Sequence, residues 1–263
     1  MKRFAAFLLL LVSALAGAAR WLDVVNYTDL DTGFVTWGPA WARYAVAGGV
    51  LLLLALGALL APRRPAALCG QSTAQGVMCF LTGFGFAALG GAKLAGWAGL
   101  DAFGKAGAVL YLVSAVWMLL LGRSRFTPEF EAPTRSALMG VAGTLSLYLL
   151  TISRFGLAPT GMARVDANFA ALAALLFTAA QAKVAYVPGG RSGGWVFFTG
   201  SAAFLLCTCL AFPGALARFM VGAAGAADLA EAGALALVGL CGAAYAFGSV
   251  GEAAPESSRS GEM

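Results

Sequence analysis

Histidine is absent from all 263 residues. With it go the commonest general base near neutral pH, imidazole ligation of metal or haem, and every Ser-His or Cys-His nucleophile pair. Charge is scarce as well: Asp, Glu, Lys and Arg make up 11% of the chain, where a soluble globular protein spends about a quarter. That is too little to wet the surface of a water-soluble protein. The five cysteines, Cys69, Cys79, Cys207, Cys209 and Cys241, include no Cys-x-x-Cys pair. Cys207 and Cys209 stand two apart in an apolar run, where a helix points them roughly 200° apart, a poor chelating geometry. All five read as small buried hydrophobes. No Ser-x-x-Lys, no Gly-x-Ser-x-Gly and no paired His/Glu metal motif occurs, so the residues favour neither an enzyme nor a bound metal or cofactor.

What the chain does have is apolar length. Hydrophobic residues make up 60% of it, at a mean hydropathy of +0.84, and they come in blocks that repeatedly reach the about 20 residues a helix needs to cross the hydrocarbon core. Backbone groups inside lipid must bond within their own segment, which makes these blocks helices. The expected fold is therefore all-α: a polytopic transmembrane helical bundle of about eight spans, occupying 1–250 as a single domain with a polar cytoplasmic tail over 251–263.

The first block follows Lys2-Arg3 and ends at Ala19. It reads either as a retained first helix or as a cleaved secretory signal with the small residues Ala16, Ala18 and Ala19 before the cut, which would leave seven spans. Residues 20–43, with Asp23, Asp29, Asp31 and the tryptophans Trp21, Trp37 and Trp41, fit an outer loop or re-entrant stretch at headgroup level. Further spans are expected at about 39–60, 75–98, 104–121, 136–152, 167–187, 195–212 (turning at Pro213-Gly214) and 223–247. Arg63-Arg64 and the Arg123/Arg125 pair directly follow two spans, which marks those ends as cytoplasmic. In that arrangement ten basic residues fall inside (Lys2, Arg3, Arg63, Arg64, Arg123, Arg125, Arg135, Lys183, Arg191, Arg259) and seven outside (Arg20, Arg43, Lys93, Lys105, Arg154, Arg164, Arg218). The expected location is the cell membrane, with the C-terminus cytoplasmic and the N-terminus too if uncleaved. A net charge of +5 spread as isolated caps between apolar blocks suits anionic lipid headgroups and not nucleic acid.

Small residues recur every fourth position in the third span (Gly83, Ala87, Gly91, Ala95, Gly99) and in the last (Gly222, Ala226, Ala230, Ala234, with Gly242 and Ala246 beyond). Such stripes let a neighbouring helix approach closely, within the bundle or in a homo-oligomer. A chain with 35 glycines also makes stripes by chance.

Ionisable residues near hydrocarbon mark function more often than not. Asp228 and Glu231 lie three apart on one face of the last span, Lys93 sits towards the outer end of the third, and Arg154 follows the fifth. These four are the candidate ligand-binding residues. With Arg164 and Asp166, and with Asp23, Asp29 and Asp31 opposite, they place the unusual polarity on the outer half, where it would meet a small polar solute or a cation. The competing reading is structural: the carboxylates neutralise Lys93, Arg154, Arg164 or Arg218 and cap the start of their helix. Asp31-Thr32-Gly33 matches a protease tripeptide but occurs once, where that chemistry needs two carboxylates. Asn26-Tyr27-Thr28 is a glycosylation pattern. Span number and sparse extramembrane sequence favour a small-solute transporter or a membrane-embedded substrate-binding component; the scarcity of interior proline and mid-depth charge favours the alternative, a non-transporting accessory, scaffold or sensor subunit.

Overall fold

The computed structural model describes residues 2–60, 72–126, 136–155, 162–186 and 192–250. The Arg63-Arg64 doublet, Cys69, Arg135, Arg191 and the tail over 251–263 lie outside the described residues. Nearly everything described is helix: α1 (Lys2–Tyr27), α2 (Ala40–Leu60), α3 (Thr73–Ala95), α4 (Ala102–Phe126), α5 (Ser136–Phe155), α6 (Met162–Tyr186), α7 (Gly193–Ala203), α8 (Phe212–Met220) and α9 (Ala226–Ser249). No strand forms among these residues beyond one isolated bridge, Thr28 to Val35. Seven of the resulting rods are long and apolar enough to cross a membrane, counting α7 to α8 as one, and α5 adds a shorter apolar stretch over Leu138–Ser153. Many large apolar side chains point outward, to the extent that Leu60 is 81% exposed. Water would not tolerate that; lipid does. The chain is a multi-pass integral membrane protein.

Several helices run past the boundaries expected from hydropathy. α1 continues through Arg20 and Asp23 to Tyr27, so the first third of the expected outer loop is helical, its charges answered by partners on other helices. α6 begins at Met162 and carries Arg164 and Asp166 in its first turns. The seventh span does not turn at Pro213-Gly214: it continues through a π-helical segment, Phe204–Ala211, into α8. Proline lacks an N–H and its ring clashes with the carbonyl four residues back. The wider π turn, in which Phe212 N–H bonds the Cys207 carbonyl five residues back, accommodates Pro213 without breaking the rod.

The most extensive pairing, α3 against α4, is built on small residues spaced by seven. A Cβ added at Gly83 would lie 3.0 Å from the Leu119 side chain and 3.1 Å from the Ala115 carbonyl; one at Gly90 would meet Leu112 at 2.9 Å and the Ala108 carbonyl at 3.2 Å. Gly76 faces Phe126, and Gly122 returns the contact to Gly76 and Phe80. A seven-residue period keeps one seam facing its partner along the whole length. The four-residue stripe expected here is corrected: Gly91 and Gly99 meet nothing within 4 Å. A four-residue step overshoots the 3.6-residue turn and drifts off the seam. Two adjacent substitutions therefore have opposite expected outcomes. Gly90→Leu should cost about 1–3 kcal/mol or more by overpacking, whereas Gly91→Leu should stay within about 0.5 kcal/mol of the parent. Thermal unfolding of both variants in detergent checks this, and equal losses would contradict the seam.

The last span shows the same split. Ala234, Gly242 and Ala246 are buried, while Ala226 and Ala230 are exposed and Gly222 stands in the preceding turn at φ +78°. The core lies between α3, α4, α6, α7 and α9, where Phe86, Tyr111, Trp117, Phe177 and Val238 are buried. Trp117 Nε1–H donates to the Tyr186 hydroxyl at 2.9 Å. Cys207 and Cys209 face opposite ways as expected, Cys207 towards the Ala170 carbonyl on α6 and Cys209 against Gly17 on α1.

Candidate functional site

At one end of the bundle four charged groups from three helices form a linear chain. Arg20 on α1 donates to Asp23 one turn on (2.6 Å) and to Asp166 on α6 (2.7 Å). Asp23 in turn accepts both Nε–H and Nη2–H of Arg43 on α2, the latter at 2.5 Å, and Arg43 also holds the Trp37 carbonyl at 3.0 Å. Two cations and two anions balance, which is the condition for burying them. Arg20 is only 8% exposed and its Nε has no partner.

Beside this chain opens a cavity of about 370 Å³, within the 300–1,000 Å³ range of small-ligand sites. Its walls come from four helices and one loop. α1 supplies Arg20 and Val24, α6 supplies Arg164, Asp166 and Asn168, and α8 supplies Arg218. Asp228 and Glu231 enter from α9, and Asp29 and Leu30 from the loop after α1. Ala170, Ala211 and Leu235 add apolar surface. Ala211 is the last residue of the π segment, so the local widening that accommodates Pro213 ends on the cavity wall.

Most of the charged groups on the wall have a partner that can be named. Glu231 is paired with Lys93 at 3.4 Å, and the Lys93 ammonium also lies 5.3 Å above the centre of the Tyr111 ring. Asp228 accepts the Gly225 N–H at 3.1 Å and so caps the start of its own helix. Asp29, in the exposed loop, accepts the Thr32 hydroxyl at 2.5 Å and the Asp31 N–H at 3.1 Å; these bonds hold its carboxyl below the usual carboxylate range. Arg218 donates from Nε to the Leu30 carbonyl at 3.2 Å and makes no ion pair within 4.0 Å among the described residues. Asn168 is 7% exposed, with its Oδ1 unpartnered.

Of the four residues singled out from sequence, Asp228 and Glu231 stand on the cavity wall. Lys93 reaches it only through Glu231. Arg154 lies in the last turn of α5, and its side chain is outside the described ones. Arg20, Arg218 and Asn168 were not singled out. Arg20 reads as the flank of a finished helix until its i, i+3 relation to Asp23 is noticed, and Arg218 as a turn residue until Pro213 is allowed inside a span. Asn168 had a plain signal, a lone amide in an apolar block.

No family model matches the chain. No curated protein and no solved structure matches it either.

A second polar cluster lies at the opposite end of the bundle. Along α9, buried Leu235 and Val238 separate Asp228 and Glu231 from Cys241 and Tyr245, about 25 Å from end to end at 1.5 Å per residue. There the Cys79 and Cys241 sulfurs lie 3.8 Å apart, Gln181 Nε2 reaches both (3.6 and 3.8 Å) and the Tyr245 hydroxyl contacts Cys79 at 3.6 Å. The Arg125 guanidinium lies 5.5 Å over the Tyr245 ring. Gln75 Oε1, Gln181 Oε1 and Arg125 Nε are buried without partners. Among the described residues no group of three metal-ligating side chains forms, here or elsewhere.

Proposed function

We propose that this protein binds a small polar solute in the cavity beside the Arg20–Asp166 pair, as a solute transporter or as the membrane-embedded binding component of one, with the cavity opening to the outside of the cell. The observation that carries this reading is the cavity itself: a 370 Å³ space with charged and polar side chains drawn from four separate helices. Two further features support it. The π-helical irregularity of the seventh span ends on the cavity wall, the kind of place where distorted helices serve binding. The unpartnered Gln75 Oε1, Gln181 Oε1 and Arg125 Nε at the far end would give a polar solute somewhere to go after the apolar layer of Leu235 and Val238. Arg123 and Arg125 in the last turn of α4 support a cytoplasmic far end, facing anionic headgroups.

The test combines ligand and orientation. Purified protein in detergent, screened by thermal shift against cations, amino acids, nucleobases and vitamins, should be stabilised by at least one class. In whole cells, a cysteine placed at Ala224 on the cavity wall should react with a membrane-impermeant maleimide added outside. Stabilisation by no solute, with protection of that cysteine until the cells are opened, would remove both parts of the reading.

A further inference from the structure

The states of the wall charges narrow the ligand class, an inference that rests on the solute-binding reading above. Asp166 is spent on Arg20 and Glu231 on Lys93. Asp29 is occupied by Thr32 and Asp31. Arg20 divides its terminal nitrogens between Asp23 and Asp166. Arg164, also on the wall, is engaged as well. Two groups of opposite sign remain: Arg218, bonded through Nε to one backbone carbonyl, and Asp228, with one oxygen on a backbone N–H. They stand on α8 and α9, both line the cavity, and they form no ion pair with each other within 4.0 Å. Independently of these, buried Asn168 presents an acceptor oxygen that nothing satisfies, a state that costs free energy unless a donor arrives.

A ligand carrying only an anion would answer Arg218 and be repelled by Asp228; one carrying only a cation has the mirror problem. A ligand carrying both, a short distance apart, answers both and has N–H donors to spare for Asn168. We infer that the cavity takes a zwitterionic solute of the amino-acid class, with its carboxylate on Arg218 and its ammonium between Asp228 and Asn168. The guanidinium provides the fork that a carboxylate matches with two parallel bonds. Ala170, Ala211 and Leu235 leave room for a small apolar side chain and offer it no polar partner.

The experiment compares three probes of similar shape on the intact protein in detergent by isothermal calorimetry: L-leucine, isovalerate and isopentylamine, with L-alanine as a shorter zwitterion. L-leucine or L-alanine should bind at least about tenfold more tightly than either singly charged probe, since each lost charge-assisted contact is worth a factor of that order. Arg218→Gln and Asp228→Asn should each weaken the zwitterion about tenfold while the melting temperature without ligand stays at the parental value; asparagine retains the oxygen that caps α9. Equal binding of isovalerate or isopentylamine, or zwitterion binding untouched in both variants, would overturn the assignment and leave the cavity a site for another solute. Binding of none of these, together with no stabilisation in the wider solute screen, would remove the solute reading as well. Should either variant fail to fold, the comparison of the probes on the parent still decides.

Discussion

Gly242→Leu is expected to abolish the folded bundle. Gly242 on α9 and Gly200 on α7 meet backbone to backbone: a Cβ built at Gly242 would fall 2.5 Å from the Gly200 carbonyl oxygen, and one built at Gly200 would press on the Gly242 carbonyl in return. The obstacle is backbone on both sides, so no rotamer change makes room. Helix association in lipid gains from close van der Waals approach, with no water to expel as a further incentive. Separating these two axes therefore forfeits the contact outright, beyond the roughly 1–3 kcal/mol of ordinary overpacking. The neighbouring crossing is as close, since a Cβ at Gly239 would lie 2.8 Å from the Ala203 carbonyl, and α7 could not retreat from one without losing the other. Size-exclusion chromatography in detergent should show aggregate in place of the parental peak. Gly233→Leu, at a position with nothing within 4 Å, should behave as the parent. A monodisperse Gly242→Leu protein with parental melting would mean that the α7–α9 crossing is looser than described.

Arg20→Met carries the second largest expected loss, about 3–5 kcal/mol. The substitution keeps the length of the side chain and removes its charge, leaving Asp166 with a side chain 12% exposed and no cation to answer it; stranding one member of a buried pair has that magnitude. The cost belongs to the orphaned carboxylate, so removing it as well should restore most of the stability. A double-mutant cycle with Asp166→Leu measures this directly: the double variant should be more stable than Arg20→Met alone by about 2 kcal/mol or more. If the double variant is as unstable as the single one, Arg20 acts through packing and the charge pairing is incidental.

Hydropathy made the helices legible, because lipid imposes one solution on any long apolar block. Helix ends were another matter. Arg20, Asp23, Arg164 and Asp166 each look like the polar edge of a span, and only the pairing between helices shows that they sit inside one. The same holds for Pro213, which reads as a terminator until the π segment before it is known. The polarity of the cavity end was visible as a cluster of Asp228, Glu231, Arg164 and Asp166, since one-sided charge survives any small error in helix length. The division of labour within the cluster was not visible. Which carboxylate caps, which pairs with lysine and which stays open depends on distances of a few ångströms between helices far apart in sequence. The small-residue seams failed for a related reason: a four-residue stripe and a seven-residue seam share Gly83, and only the neighbour's position tells which of the two is used.

The charge chain at the cavity end has a temporal side. Asp23 and Arg43 are 20 residues apart, whereas Arg20 waits 146 residues for Asp166. During synthesis Arg20 and Arg43 therefore have Asp23 as their one shared ion-pair partner until α6 emerges. Asp166 then gives Arg20 a second carboxylate, and that bond ties the late half of the polypeptide to the early half by charge.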